Sequence, residues 1–174
     1  MTTHSTLAMV PLFCFAIALP PGSALAQQKQ QVSFKSSTDN NKITQQQNVE
    51  VGDVPNHIVR VYEVHRTFPN NPPMINGLKI VDQWDRGTID VIDGHGSGPA
   101  YIVYVLENGD KVFVRGATVV RSAAGKLTAT TAGHITGGTG KLGTIQGVSR
   151  GVTNFDYKTG FTENQSDLEY SVGK

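Results

Sequence analysis

The chain is poor in cysteine and in charge, and both absences exclude classes of function. Its 174 residues include one cysteine, Cys14, and 17% of them are charged, for a formal net charge of +1. One thiol allows no internal disulfide and no zinc site built on several cysteines. No cluster of lysine and arginine exceeds two neighbours, so nucleic acid, which selects basic surfaces, is excluded as the expected partner. We expect neither a metal ion nor a cofactor.

The chain also lacks an apolar run long enough to span a membrane as a helix. Its most apolar stretch, residues 7–19, is followed by Ala24-Leu25-Ala26, which matches the apolar core and A-x-A cleavage site of a signal peptide. We therefore predict a signal peptide over residues 1–26, cleaved before Gln27, and a secreted or periplasmic mature protein. Cleavage would also remove Cys14 and leave a chain without a thiol.

Residues 27–54 are rich in Gln, Asn, Ser and Thr and contain few apolar side chains. Such a segment buries too little apolar surface to offset the entropy that ordering costs. It is predicted to be a flexible lead, with an edge strand at residues 32–34 as the alternative. After Pro55 the chain consists of short β-rich runs, and residues 55–174 are predicted to form one domain.

No stretch after Pro55 repeats apolar residues at the period of a helix. Instead, alternating runs are separated by turn residues, as in the Asn-Gly hairpin signal at 108–110. The pattern predicts about eight antiparallel strands in an up-and-down β-barrel, because closure removes exposed edges. A sandwich is the alternative. The predicted strands cover residues 57–68, 78–84, 87–93, 100–107, 111–121, 126–136, 144–152 and 161–172, and residues 94–99 are predicted to be a loop.

Seven glycines lie between residues 133 and 151, and residues 138–143 match the G-x-G-x-x-G pattern of dinucleotide sites. That pattern holds a pyrophosphate only where it opens a helix. Residues 144–149 alternate and are rich in glycine and β-branched side chains, which disfavour a helix. We therefore predict two strands joined by a tight GGTG turn at 137–140, and no nucleotide site.

The first predicted strand carries charge on both faces. One face consists of Val59, Val61, Glu63, His65 and Thr67, and the other of Ile58, Arg60, Tyr62, Val64 and Arg66. If the Val59 face points inward, Glu63 and His65 enter the interior side by side, where burial raises the pKa of an unpaired carboxyl. If that face points outward, Glu63 is a solvated surface acid. Periodicity alone does not choose between the two orientations.

The segment Tyr62-Glu63-Val64-His65 on a first strand, the hairpin-rich middle, and GHITGGTGKLGTIQG at 133–147 resemble the allene oxide cyclase barrel family and, more distantly, dirigent proteins. The resemblance covers residues 59–172. It implies an eight-stranded antiparallel barrel with an apolar lumen. It also implies a homo-oligomer, often a trimer.

In the plant cyclases of that family, a first-strand glutamate in the cavity promotes opening of a fatty-acid epoxide. An asparagine two residues later holds the substrate oxygen, and a proline nine residues after the glutamate fixes a water. Glu63 matches the glutamate and Pro72 the proline, while His65 stands where the asparagine is expected. The resemblance thus implies catalytic roles for Glu63 and His65. The predicted substrate contacts are Pro72, Tyr62, Trp84 and Tyr104.

Three functions are compatible with this sequence. The leading interpretation is a cofactor-free cyclase or isomerase that acts on a small hydrophobic metabolite. The alternatives are a non-catalytic binder of a small hydrophobic ligand and a structural oligomer whose interior is filled by side chains. An enzyme requires a carboxylate within reach of the reacting atoms, and both the enzyme and the binder require an open cavity.

Overall fold

The computed structural model describes residues 28–173, and the predicted signal peptide with its cleavage site lies outside them. These residues form ten strands and two short 3-10 helices, at Thr38–Asn40 and Gly140–Leu142. The described part contains no helix that is long and apolar enough to cross a membrane. The strands are β1 (Gln30–Ser37), β2 (Asn41–Glu50), β3 (His57–Thr67), β4 (Met74–Ile75), β5 (Leu78–Ile92), β6 (His95–Leu106), β7 (Lys111–Ala123), β8 (Lys126–Gly138), β9 (Ile145–Asp156) and β10 (Thr162–Val172).

The strands form one antiparallel sheet in which most neighbours in the chain are neighbours in space. Their order is β1-β10-β9-β8-β7-β6-β5-β3-β2, and the short β4 pairs with the start of β5. Short connections between consecutive strands produce such a meander. Within residues 28–173 no ladder joins β1 to β2 at the two ends of this order, so the sheet is not closed by hydrogen bonds. The all-β antiparallel prediction is confirmed, but the sheet has ten strands where about eight were expected.

Two of the ten strands, β1 and β2, lie in the polar segment whose composition predicted a flexible lead. Strand β1 pairs along its whole length with β10, and β2 pairs with β3. Alternation along β1 also places Phe34 in the core, where its ring meets Phe68 edge-on with centroids 5.3 Å apart. Ladder hydrogen bonds join backbone groups and so form with polar side chains as well. The division of the chain into signal peptide, lead and barrel domain stays a prediction.

Strands β5 and β6 are both longer than the sequence predicted. Strand β5 runs without a break through residues 85–87, and β6 begins at His95, within the predicted loop. The glycines of that segment allow two strands to approach closely, because a Cβ at Gly96 would overlap the carbonyl oxygen of Asp90. Glycine inside a strand often marks such a close approach of two backbones. The sequence analysis interpreted the glycines of residues 94–99 as signals of a loop, so it placed the start of β6 too late.

The glycine-rich turn has the predicted position between consecutive strands. Strand β8 ends at Gly138 and β9 begins at Ile145, so the G-x-G-x-x-G pattern opens a strand after one short 3-10 turn. The Thr139 side chain anchors the turn by accepting a hydrogen bond from the Lys111 amide at 2.8 Å. Gly140 follows with a φ of 55°, which favours glycine.

The buried side chains form two clusters on one face of the sheet, which we call the inner face. The main cluster is centred on the fully buried Tyr104 and includes Phe68, Ile135 and Tyr170. A smaller cluster consists of Ile89, Val91 and Val120. The two clusters have no member in common, and the cavities described below lie against the smaller one.

Candidate functional site

The orientation of β3 decides which of its side chains form a site. Its even-numbered residues face inward, because Phe68 joins the main cluster and Tyr62 packs against the smaller one. On the opposite, outer face Val61 is 52% exposed. The structure therefore selects the orientation in which Glu63 and His65 lie on the outer face, and the expectation that they enter the interior is wrong.

Glu63 is held outside the cavity by two hydrogen bonds. Its carboxylate accepts one from the Thr44 hydroxyl at 2.6 Å and one from Arg86 Nε at 2.6 Å. The Thr44 bond, and after it the Arg86 guanidinium, lower the pKa of this carboxyl, whereas burial without a partner would raise it. The paired arginine, Arg86, lies directly opposite Glu63 on the adjacent strand β5. Glu63 is thus an ionised carboxylate on the outer face.

The remaining predicted contact residues lie in three different places. His65 stacks on Trp84 on the outer face, with ring centroids 4.0 Å apart. Tyr104 is fully buried in the main cluster, and this burial raises the pKa of its phenol. Pro72 lies in the connection between β3 and β4. Of the six residues that the sequence indicated, only Tyr62 lines the cavity, and the functional roles of all six stay predictions.

A cavity of about 360 Å³ lies on the inner face beside the smaller cluster. Seven strands contribute to its wall: β2, β3, β5, β7, β8, β9 and β10. Its volume falls within the range of about 300–1,000 Å³ that small-molecule sites occupy. The apolar part of the wall consists of Ile43, Val64, Ile89, Val120, Leu127, Ala129, Phe155 and Tyr157, and threonine hydroxyls come from Thr118, Thr131, Thr153 and Thr162.

The polar floor of this cavity is an ion pair between Arg66 on β3 and Asp85 on β5. The Arg66 side chain is 4% exposed and the Asp85 side chain 16% exposed. Asp85 also accepts a hydrogen bond from the Gln83 amide at 2.8 Å, and Arg66 reaches the Thr153 hydroxyl at 3.4 Å. Charges so deeply buried require partners, and here each charge has one.

Two buried polar atoms at or beside the ion pair have no hydrogen-bond partner within the described chain. They are Arg66 Nε, a donor, and Gln83 Oε1, an acceptor. The two residues lie directly opposite each other on β3 and β5. Buried polar groups are rarely left unbonded, and here both atoms are enclosed by protein, so the ion pair itself is the polar group that borders the cavity. Sequence analysis placed Arg66 and Tyr62 on one face but offered no signal that joined either to Asp85.

Tyr62 forms the polar side of the cavity. Its ring fits against the backbone at Gly87, directly opposite on β5, where a Cβ would come within 2.7 Å of the phenol oxygen. Burial raises the pKa of the phenol, so Tyr62 is a neutral hydroxyl near neutral pH. The Thr118 side chain opposes this rise in pKa, and its hydroxyl lies 2.7 Å from the Thr131 hydroxyl. The site therefore offers neutral hydroxyl groups beside the ion pair.

A second cavity of about 260 Å³ adjoins the first. The two cavities share the wall residues Arg60, Ile89, Val120, Leu127 and Tyr157. The second cavity is also lined by the turn residues Asn56 and Gly94 and by Ser122 near the end of β7. In residues 28–173 no group of three or more His, Cys, Asp or Glu side chains is placed to hold a metal ion.

Comparisons with known proteins identify the fold and nothing finer. No family model matches the chain, and no curated protein matches it significantly. Among solved structures, the pterocarpan synthase dirigent protein GePTS1 is similar with a TM-score of 0.52 and 12% identity, over 92% of this chain and 99% of that one. The pterocarpan synthase dirigent protein PsPTS1 is similar with a TM-score of 0.48 and 14% identity, over 84% of this chain and 96% of that one. The chain has a dirigent-like fold, while the likeness to allene oxide cyclases stays a prediction.

Proposed function

We propose that the protein binds a small, largely hydrophobic molecule in the inner-face cavity and does not transform it. One observation carries the proposal: a cavity of about 360 Å³ has mostly apolar walls and a single buried ion pair, Arg66 with Asp85, at its floor. Apolar walls with a few oriented polar groups are typical of small-molecule sites. A structural protein with a filled interior would have no such space.

The positions of the carboxylates support binding over catalysis. An acid or base catalyst must reach the proton that it transfers. Glu63 lies on the outer face, and Asp85, which lines the cavity, is already bonded to Arg66 and Gln83. The cyclase or isomerase hypothesis with Glu63 and His65 as catalytic residues stays a prediction, and a charge-removal variant tests it below.

The likeness to a dirigent protein supports a small-molecule site in a sheet of this kind. GePTS1 is named a pterocarpan synthase, so one protein of this fold acts on small molecules. At 12% identity the likeness extends to the fold and not to the ligand. The chemistry of the ligand must therefore be inferred from the residues of this chain.

We further propose that the sheet curls into a barrel with eight strand positions around its circumference. The edge strands β1 and β2 together occupy one of these positions. The two strands border β10 and β3 respectively and are joined by the short helix Thr38–Asn40. Ser36 and Asn41 bond across this junction, with the Ser36 hydroxyl 2.8 Å from Asn41 Oδ1. The cavity wall supports the proposal because it combines side chains from β2, β3, β9 and β10.

Homo-oligomer formation is a further part of the proposal, and exposed apolar side chains on the outer face support it. Val148, His134, Arg115 and Tyr101 form one row across β9, β8, β7 and β6. Val148 and Tyr101 are each 44% exposed, and Val119 nearby on β7 is 45% exposed. Sedimentation equilibrium measures the oligomeric state directly. A trimer is expected from the resemblance to the cyclase barrels, and a monomer at all concentrations would contradict homo-oligomer formation.

The proposed place of action is outside the cytoplasm, either secreted or periplasmic. The support is the apolar run that ends in Ala24-Leu25-Ala26, with the small residues that signal peptidases select. Recovery of the processed chain outside the cytoplasm tests this proposal.

Filling the cavity tests the binding proposal. Ala129 lines the cavity on β8, so Ala129→Phe places an aromatic ring in the space that a ligand would take. Ala123→Phe adds the same ring at an exposed position at the end of β7 and is the matched control. The probe is the neutral fluorophore N-phenyl-1-naphthylamine.

We expect the wild type and Ala123→Phe to bind this probe with the same Kd. Ala129→Phe should bind it at least tenfold more weakly, a loss of about 1.4 kcal/mol or more. Circular dichroism of both variants shows whether they remain folded. Equal binding by all three proteins, or no binding by the wild type, would overturn the proposal.

A further inference from the structure

The ionised side chains that line the two cavities do not balance in charge. They are Arg60, Arg66 and Asp85. Arg66 and Asp85 neutralise one another in their ion pair. Arg60 forms no ion pair with any residue in 28–173; its hydrogen bond runs from Nε to Asn48 Oδ1 at 2.9 Å. That bond fixes the guanidinium and leaves both Nη atoms without a protein partner in the described part.

The nearby carboxylates at the end of the second cavity are engaged elsewhere. Asp53 and Asp90 both bond to His57, at 2.5 and 2.8 Å. Asp93 accepts a hydrogen bond from the Asn56 amide at 2.8 Å. No carboxylate of the chain between residues 28 and 173 therefore neutralises the guanidinium in the cavity wall.

The free guanidinium stands at the junction of the two cavities, among apolar neighbours. Its companions in the shared wall are Ile89, Val120, Leu127 and Tyr157. Low-dielectric walls around a charge of one sign concentrate ions of the opposite sign. A guanidinium with both Nη atoms free matches the two oxygens of an oxyanion in a bidentate contact. Apolar walls around such a contact select a molecule that is both anionic and hydrophobic.

We propose that the ligand is an amphipathic organic anion whose oxyanion head binds the Nη atoms of Arg60. Its apolar body lies along the wall toward the polar floor at Arg66. The two arginines are six residues apart on one face of β3, so their Cα atoms are separated by about 20 Å. This inference rests on the proposed function, because it assigns the ligand class of the same cavity.

Two probes that differ by one sulfonate test the inference. They are 8-anilinonaphthalene-1-sulfonate and its neutral parent, N-phenyl-1-naphthylamine. The quantity measured is the ratio of their Kd values in the wild type, Arg60→Met, Arg60→Lys and Arg121→Met. Arg121 is exposed on β7 and lines neither cavity, so its substitution removes an equal charge elsewhere and is the matched control.

We expect the wild type to bind the sulfonate about tenfold more tightly than the neutral parent, as a charge-assisted contact implies. Arg60→Met should abolish this preference, so that the ratio of the two Kd values falls to about one. Arg121→Met should keep the preference, and Arg60→Lys should keep part of it, because lysine keeps the charge but not the bidentate geometry.

The outcomes separate this inference from the proposed function. If the wild type binds neither probe, the proposed function fails and the anion site fails with it. If the wild type binds the neutral probe in the cavity but shows no preference for the sulfonate, the anion site alone is refuted. The anion site alone is also refuted if Arg60→Met and Arg121→Met reduce the preference for the sulfonate equally. If Ala129→Phe binds neither probe, both probes bind in the cavity of the wild type. If Ala129→Phe still binds the sulfonate, the anion site is refuted.

Discussion

The ion pair beneath the cavity makes a prediction about stability that depends on which partner is removed. Asp85→Asn leaves the Arg66 guanidinium, 4% exposed, without a counter-charge. Arg66→Met leaves a carboxylate that is 16% exposed, borders the cavity and keeps its bond from the Gln83 amide. Water in the cavity can solvate the second residual charge better than the first. Removal of the carboxylate should therefore destabilise the fold more than removal of the arginine.

The expected magnitudes follow from burial. An isolated buried charge left by removal of its partner costs about 3–5 kcal/mol, which is the range for Asp85→Asn. The more solvated carboxylate left by Arg66→Met should cost about 1–3 kcal/mol. The double variant carries neither charge, and the side-chain amide that replaces the Asp85 carboxylate still offers an oxygen to the Gln83 amide. Since the charges are removed together, the double variant should be more stable than Asp85→Asn alone.

Urea unfolding followed by circular dichroism measures the four free energies of unfolding. With a slope of about 2 kcal/mol per molar urea, Asp85→Asn should lower the midpoint by about 2 M. The coupling energy from the double-mutant cycle should be favourable for the pair. Equal losses for the two single variants, or a double variant less stable than Asp85→Asn, would refute the reasoning. Either result would mean that Arg66 is solvated in the native protein.

Three further predictions concern other parts of the molecule. Hydrogen bonds to Asp53, and after it to Asp90, raise the pKa of His57 above its ordinary 6.5. Protonated His57 therefore contributes its full stabilisation below pH 6.5. The urea midpoint should fall as the pH rises through the raised pKa. His57→Gln should flatten this dependence, and an unchanged slope would contradict the role of the imidazole. Glu63→Gln should leave the Kd of the neutral probe within about twofold, because Glu63 is on the outer face; a large loss of binding, or of any measured turnover, would restore Glu63 to the site. Sequencing of the exported protein should begin at Gln27, and an intact N-terminal Met1 would exclude the predicted cleavage.

Local patterns in the sequence predicted the strands whose two faces differ clearly. Strands β7, β8 and β10 begin and end within two residues of their predicted bounds, and the Asn-Gly signal lies at the observed hairpin, with Gly109 at a φ of 85°. Alternation and turn chemistry are properties of short segments, so one sequence suffices to recognise them. The strand ladders of β1 and β2 depend on distant partners, and the sequence indicated only residues 32–34 of β1, as the alternative edge strand, and no part of β2.

The face of β3 could have been predicted from a longer window. Tyr62, Val64 and Phe68 lie on one face, and the large apolar side chain of Phe68 marks that face as the inner one. The interpretation that favoured Glu63 relied on the two valines of the opposite face. Arg66 was harder to place, because a buried arginine is recognised only together with its partner. That partner, Asp85, lies on another strand, so the polar floor follows from long-range register and not from local sequence.

The sizes of the inner-face residues explain why space remains over one part of the sheet only. On β8 the inward positions beside the cavity carry Leu127, Ala129 and Thr131, whereas the inward position farther along the strand carries Ile135, which is in the main cluster. Strand β9 carries the buried Ile145 in the main cluster and the smaller Thr153 at the cavity wall, with Phe155 as a larger wall residue at its end. An interior at normal packing density has no void unless side chains are too small to fill it. The cavity is therefore a consequence of small residues at inward positions. The unpaired guanidinium of Arg60, in the wall that the two cavities share, is the feature from which we infer that the ligand is an anion.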